Sequence, residues 1–264
     1  MIKKKILGIL LLICALVVSS AIAGKVDKDA VTQTSAINAL LEGVYDGTVS
    51  FKMLKKFGDL GLGTFEAIDG EMVMLNGIVY QVKADGNVYK SDVNAITPFS
   101  VVKKFNADLV VDVPAVAGYD KLKQFLDEFI DSNNIFYAFK IHGEFKNVKT
   151  RSVPRQSKPY PVLAEVIKEQ TIFEYKNIKG YIIGFWCPKY INGINVPGYH
   201  LHFISDDYTK GGHLLDCEVE NAIASIDKSY SFYMMLPQIE SFEKTDISGE
   251  KEKSLMQVET MPAK

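Results

Sequence analysis

Residues 63–91, GTFEAIDGEMVMLNGIVYQVKADGNVYKS, decide the fold class. Asp69-Gly70, Asn76-Gly77 and Asp85-Gly86 each separate short runs rich in apolar residues. Such dipeptides supply the positive-φ residues that tight reversals need, and the runs between them are of strand length. The stretch therefore predicts a meander of hairpins, with GTFEAI, EMVML, IVYQVKA and NVYKS as its apolar runs. Glu71 follows the first turn and opens EMVML. From there it either projects from a rigid strand into a cleft or sits solvated at a hairpin end.

The β texture continues through VVKKF and ADLVVDVP. In GYDKLKQFLDEFIDSNN, residues Leu122, Phe125, Leu126, Phe129 and Ile130 recur at the helical period, which predicts an amphipathic helix lying on a sheet. Strand texture returns over residues 135–153. PRQSKPYPVLAEVIKEQ, with three prolines, reads as a joint followed by a short helix over 162–169, with Pro161 in its first turn. TIFEYKNIKGYIIGFWCP reads as another hairpin, and GYHLHFIS, GGHLLDCEVENA and YSFYMMLP as strands. Before the meander, a short helix is expected near Ser35–Leu41, stopped by Gly43.

These readings give an α+β protein of two lobes, each on a mixed or antiparallel β-sheet with few helices. The expected boundaries are a leader at 1–23, an N-terminal lobe at 24–155, a C-terminal lobe at 156–240 and a polar tail at 241–264. The leader carries Lys3, Lys4 and Lys5, then an apolar run from Ile6 to Val18, then Ala21-Ile22-Ala23. That is the pattern of an export signal cut after Ala23, leaving no stable membrane anchor. An exported chain can pair Cys187 with Cys217, though both equally suit small buried thiols. A formal charge of −2 and a pI near 6.1 exclude an electrostatic nucleic-acid binder.

Three of the four histidines, His200, His202 and His213, fall within PGYHLHFISDDYTKGGHLLD. Alternate residues of a strand share a face, so His200 and His202 point the same way. Asp206-Asp207 and Lys210-Gly211-Gly212 form a loop, and the returning strand brings His213 beside them. Three imidazoles on one face suit zinc with a position left open. Arginine is scarce: Arg151 and Arg155 stand against 28 lysines. A planar guanidinium binds a carboxylate through two parallel hydrogen bonds, which makes Arg151 a candidate anion clamp. GxSxG, Walker, GxGxxG and HExxH patterns are absent.

With these residues assembled, the chain resembles the α-acetolactate decarboxylase family. The matching blocks are GLGTFEAIDGEMVMLNGIVYQ, TRSVPRQSKPYPVL and GFWCPKYINGINVPGYHLHFISDDYTKGGHLLD, in the family's order. The resemblance implies a two-domain build with a zinc ion between the lobes, and commonly a homodimer. It implies zinc ligands at His200, His202 and His213, an essential arginine at Arg151, a catalytic glutamate at Glu71 and Thr64 lining the site. A further carboxylate from the C-terminal tail is implied at Glu259. The implied reaction converts 2-acetolactate, a small-molecule substrate, to (R)-acetoin and CO2. Two other readings compete. In a cupin-like metal oxygenase, Asp206 would complete the His-x-His set. The other alternative is an exported, non-catalytic metal- or ligand-binding module.

Overall fold

The computed structural model describes residues 27 and 29–259. The expected leader at 1–23 lies outside them. Strand β1 (Val31–Thr34) and helix α1 (Ile37–Leu41) lead into β2 (Val49–Ser50) and the single turn α2 (Phe51–Leu54). The meander is β3 (Leu60–Thr64), β4 (Glu71–Leu75), β5 (Ile78–Val82) and β6 (Val88–Lys90), followed by β7 (Ile96–Thr97) and β8 (Ser100–Lys103). Then come β9 (Leu109–Val113), β10 (Val116–Ala117), α3 (Tyr119–Asp127) and the long β11 (Phe136–Ser152). After α4 (Leu163–Val166) run β12 (Thr171–Cys187), β13 (Gly198–Ser205), β14 (Gly211–Ser229) and β15 (Phe232–Met235). Helices α5 (Glu240–Lys244) and α6 (Glu252–Glu259) complete the described chain.

The first sheet has the order β15-β1-β8-β3-β4-β5-β6 and is antiparallel except where β1 meets β15. Its turns follow the chemistry read from the sequence. Asn76 and Gly77 both take positive φ, 51° and 73°, and join β4 to β5 through a two-residue reversal. In the second sheet β11 pairs β12, β12 pairs β13, β13 pairs β14, and β14 returns to β11, so these four strands close into a ring. Strands β9 and β10 extend it along β14, and α3 buries Leu122 and Leu126 against it.

Strand alternation decides which side chains enter the layer between the sheets. On β4, Val73 and Leu75 join the inter-sheet core while Met72 and Met74 pack on the opposite face with Phe51 and Leu54. Glu71 shares the parity of Val73 and so points between the sheets. On β13, Ile204 joins the same layer while Leu201 and Phe203 face the other way, which sends His200 and His202 into it.

Three expectations need correction. TIFEYKNIKGYIIGFWCP is one continuous strand, not a hairpin: Asn177 takes φ 51° within it, and the register with β11 holds on both sides. The end of GTFEAI is not strand, because Glu66–Ile68 form a 3-10 turn in the connection to β4. Sheet membership does not follow the boundary expected at 155/156. Strands β9 to β11 and α3 belong with the second sheet, and β15 crosses back to pair with β1. VTQT, too polar to read as a strand, is wholly buried as β1 because it lies between β8 and β15. The tail also docks: α6 buries Leu255 and Val258 in the inter-sheet core. Among the described residues no helix is long and apolar enough to cross a membrane.

Candidate functional site

The ladder of the second sheet sets the spacing of the site. His202 lies opposite His213 across β13 and β14, and His213 lies opposite Arg151 across β14 and β11. Directly paired residues project to the same face. The three imidazole centroids stand 5.1–5.3 Å apart, with one potential ligand atom from each within 4.8 Å of the others. All three rings are buried.

Burial holds these imidazoles neutral. It drives His200 down to about 3 and His202 and His213 well below the usual histidine value, with Arg151 adding to the effect. The Nδ1 of His202 lies 2.9 Å from the Met72 carbonyl. A carbonyl only accepts, so Nδ1 donates and the lone pair of the neutral ring falls on Nε2. That Nε2 is buried without a hydrogen-bond partner, as is Nδ1 of His200. Orphaned buried nitrogens on neutral, converging imidazoles are what a metal ligand set requires before it is loaded. The donor set fits zinc.

Carboxylates and a guanidinium surround the histidines. Glu71 Oε2 lies 3.7 Å from His202 Nε2, and Glu71 Oε1 accepts from Arg151 Nη1 at 3.1 Å. Glu259 Oε2 lies 3.7 Å from His213 Nε2 and 3.9 Å from His200 Nε2. Burial pushes both Glu71 and Glu259 up to about 7, opposed by the neighbouring Arg151. Arg151 Nη2 donates to the Val258 carbonyl at 3.0 Å, and its Nε has no partner. Thr64 stands opposite Glu71 in the β3–β4 ladder, and its hydroxyl donates to the Gly70 carbonyl at 2.7 Å. The structure thus brings together Thr64, Glu71, Arg151, His200, His202, His213 and Glu259, which all line one small cavity. The orienting carbonyl of Met72 was not legible, because a backbone group carries no side-chain signal. Arg155 stays outside, half-exposed and 3.9 Å from Asp69. His142 is also outside, bonded to Asp206 and stacked on Tyr181. Asp206 is thereby committed away from the histidine centre. Cys187 and Cys217 are both buried as free thiols.

The α-acetolactate decarboxylase family model matches residues 31–249. This chain belongs to that family. An α-acetolactate decarboxylase from Methanosarcina mazei is 44% identical over 88% of this chain and 80% of its own length. One from Methylococcus capsulatus is 41% identical over 87% of this chain and 88% of its own length. The crystal structure of the Bacillus subtilis strain 168 enzyme superposes with a TM-score of 0.86 at 34% identity, covering 88% of this chain and all of that one. Membership makes the chain an enzyme, a carboxy-lyase. Glu259 lies beyond the residues matched by the family model, and the structure puts it beside the histidines.

Proposed function

We propose that this chain converts (S)-2-acetolactate to (R)-acetoin and CO2 with a zinc ion held by His200, His202 and His213. The observation that carries the reading is the converging set of three buried imidazoles, two with orphaned nitrogens, beside one guanidinium and two carboxyl groups. When bound, zinc supplies a Lewis acid for the adjacent hydroxyl and keto oxygens of the substrate.

The chain's own residues do the rest. Arg151 binds the substrate carboxylate through Nε, the guanidinium nitrogen left without a partner. Its hydrogen bond to Glu71 fixes the plane of that fork. The bond from the carboxylate carbon to C2 breaks, CO2 leaves, and the electron pair moves onto the 3-keto oxygen to give an enediolate. The protonated Glu71 carboxyl delivers a proton to C2 from one side only, which sets the hand of acetoin. The apolar walls, including Phe99, Leu163 and Val258, exclude bulk water from the enediolate. No organic cofactor enters, because the 3-keto group is itself the electron sink.

Incubation with racemic acetolactate and zinc, following CO2, acetoin and optical rotation, tests the reading. Half-consumption of the racemate with optically active acetoin is expected; racemic acetoin removes the assigned role of Glu71. We further propose that the enzyme is a homodimer and is exported with loss of residues 1–23. Light scattering and N-terminal sequencing of the secreted protein check these two points.

A further inference from the structure

Side chains alternate along a strand, so residues an even number apart share a face. Strand β14 breaks that rule just beside the site. Cys217 and Leu214 stand three apart, yet both join the same apolar cluster as Phe139 and Val148 of β11. The register shows the cause. Asp216 lies opposite Lys149 and Leu214 lies opposite Thr150, so Leu215 has no partner on β11. One extra residue on one strand is a β-bulge, and it turns every side chain beyond it to the other face. Leu214 is thereby turned to the apolar cluster. His213 is turned to the layer between the sheets, opposite Arg151 on one side and His202 on the other. Without the bulge His213, four residues from Cys217, would share the apolar face.

An unpaired residue forfeits ladder hydrogen bonds, and a bulge persists where other groups answer them. Asp216 does this here. Its Oδ1 accepts from the Cys217 N–H at 2.9 Å and from the Tyr119 N–H at 2.8 Å. Tyr119 opens α3 after Gly118, which has no side chain to cap the helix. The Asp216 carboxylate takes the place of that cap. It thus ties the bulge to a helix whose Leu122 and Leu126 are buried in the same cluster as Leu214. On the far side of His213, the Thr150 hydroxyl donates to the Gly211 carbonyl at 2.8 Å. Gly212 runs so close to β11 that a Cβ there would stand 2.6 Å from the Arg151 carbonyl oxygen. The strand is held on both sides of its histidine.

We propose that the bulge at Leu215, fastened by the Asp216 carboxylate, aims His213 into the histidine centre, which makes Asp216 a positioning residue for that ligand. This rests on the reading above that the three imidazoles hold zinc. Neither Leu215 nor Asp216 lines the chamber itself, so both act only through the direction of His213. Partners that orient a metal-binding histidine are worth roughly 10–100-fold in metal affinity.

Deleting Leu215 from the full chain tests this. Zinc affinity is read by competition with a chelator. The contact between the His202 and His213 rings, whose centroids stand 5.3 Å apart, is read by proton cross-relaxation in the metal-free protein. The deletion should cost at least ~100-fold in zinc affinity and abolish the ring contact. Putting one residue back as alanine, Leu215→Ala, should recover both, because residue count rather than side chain sets the face. Asp216→Ala should weaken zinc ~10-fold, and Asp216→Asn, which keeps an accepting oxygen, should restore it. A lower urea midpoint for Asp216→Ala, with the zinc affinity of the folded protein unchanged, overturns the positioning role. A deletion that keeps the ring contact or binds zinc as the wild type does overturns the bulge. If the deleted chain does not fold, the two Asp216 variants decide. If the wild type takes up no zinc, yet shows the ring contact and loses it on deletion, the bulge stands and the zinc reading falls.

Discussion

Two buried polar clusters join the sheets of this protein, and they are built to opposite specifications. At one end Lys103 on β8, fully buried, meets Asp227 on β14 at 3.2 Å and also pairs with Asp29. Every member has an answer: Lys103 Nζ donates to the Asp29 carbonyl at 3.0 Å, and Asp227 accepts from the Asn106 N–H at 2.7 Å. At the other end, Arg151 Nε, His200 Nδ1 and His202 Nε2 are left open. Burying an unanswered polar group costs ~1–3 kcal/mol, and these three belong to side chains that line one cavity. The saturated cluster is a clamp, and the unsaturated one is a receptor.

The sharpest way to break this contrast is to remove one member of each. His202→Ala should lose zinc and lower kcat/KM by at least ~10^3-fold, since metal-ion catalysis is worth several kcal/mol. Metal content and CO2 release measure it; full activity in chelated His202→Ala would end the metal reading. Lys103→Met should leave Asp227 buried and unpaired and cost ~3–5 kcal/mol of stability, read by urea unfolding, while activity per folded molecule stays near that of the wild type. Arg151→Lys keeps the charge but loses the planar fork, with an expected ~10^2-fold fall in kcat/KM for a mispositioned substrate and zinc content unchanged.

The smallest effect concerns pH at the clamp. Burial raises the Asp227 carboxyl to about 6. A carboxyl whose pKa rises on folding holds its proton more tightly in the folded state. Its contribution to stability is therefore full below the unfolded value near ~3.9 and is lost as pH climbs through about 6. Asp227→Asn should flatten that decline, seen as a smaller difference in urea midpoint between acid and neutral solution. An unchanged difference would mean that Asp227 is ionised throughout.

The histidine centre was legible in the sequence because its spacing is local. His200 and His202 share a strand face, and one loop brings back His213. Glu71 and Arg151 were named, but the alternation that turns both inward becomes decisive only once the second sheet is known to cover β4. The clamp was not legible at all. Lys103 sits in VVKKF beside Lys104, which is largely exposed and pairs with Asp59, and nothing local tells the two lysines apart. Their fates depend on Asp227, more than a hundred residues away. The misread hairpin in KNIKG has a similar origin: Asn177 has turn chemistry, but a partner strand long enough to span it keeps β12 straight. Long-range pairing overrode a local signal, as it did when β15 crossed back to β1.

The closed ring of β11 to β14 has a further consequence. Neighbouring strands sit ~4.7–4.9 Å apart, and the imidazole centroids stand at 5.1–5.3 Å. Only His202 and His213 share a rung, so main-chain hydrogen bonds fix that spacing directly, while His200, two residues along the same strand, reaches the other two through its side chain. The three positions are set by strand pairing within the second sheet, and they would keep their places under wide change in the tail that covers them.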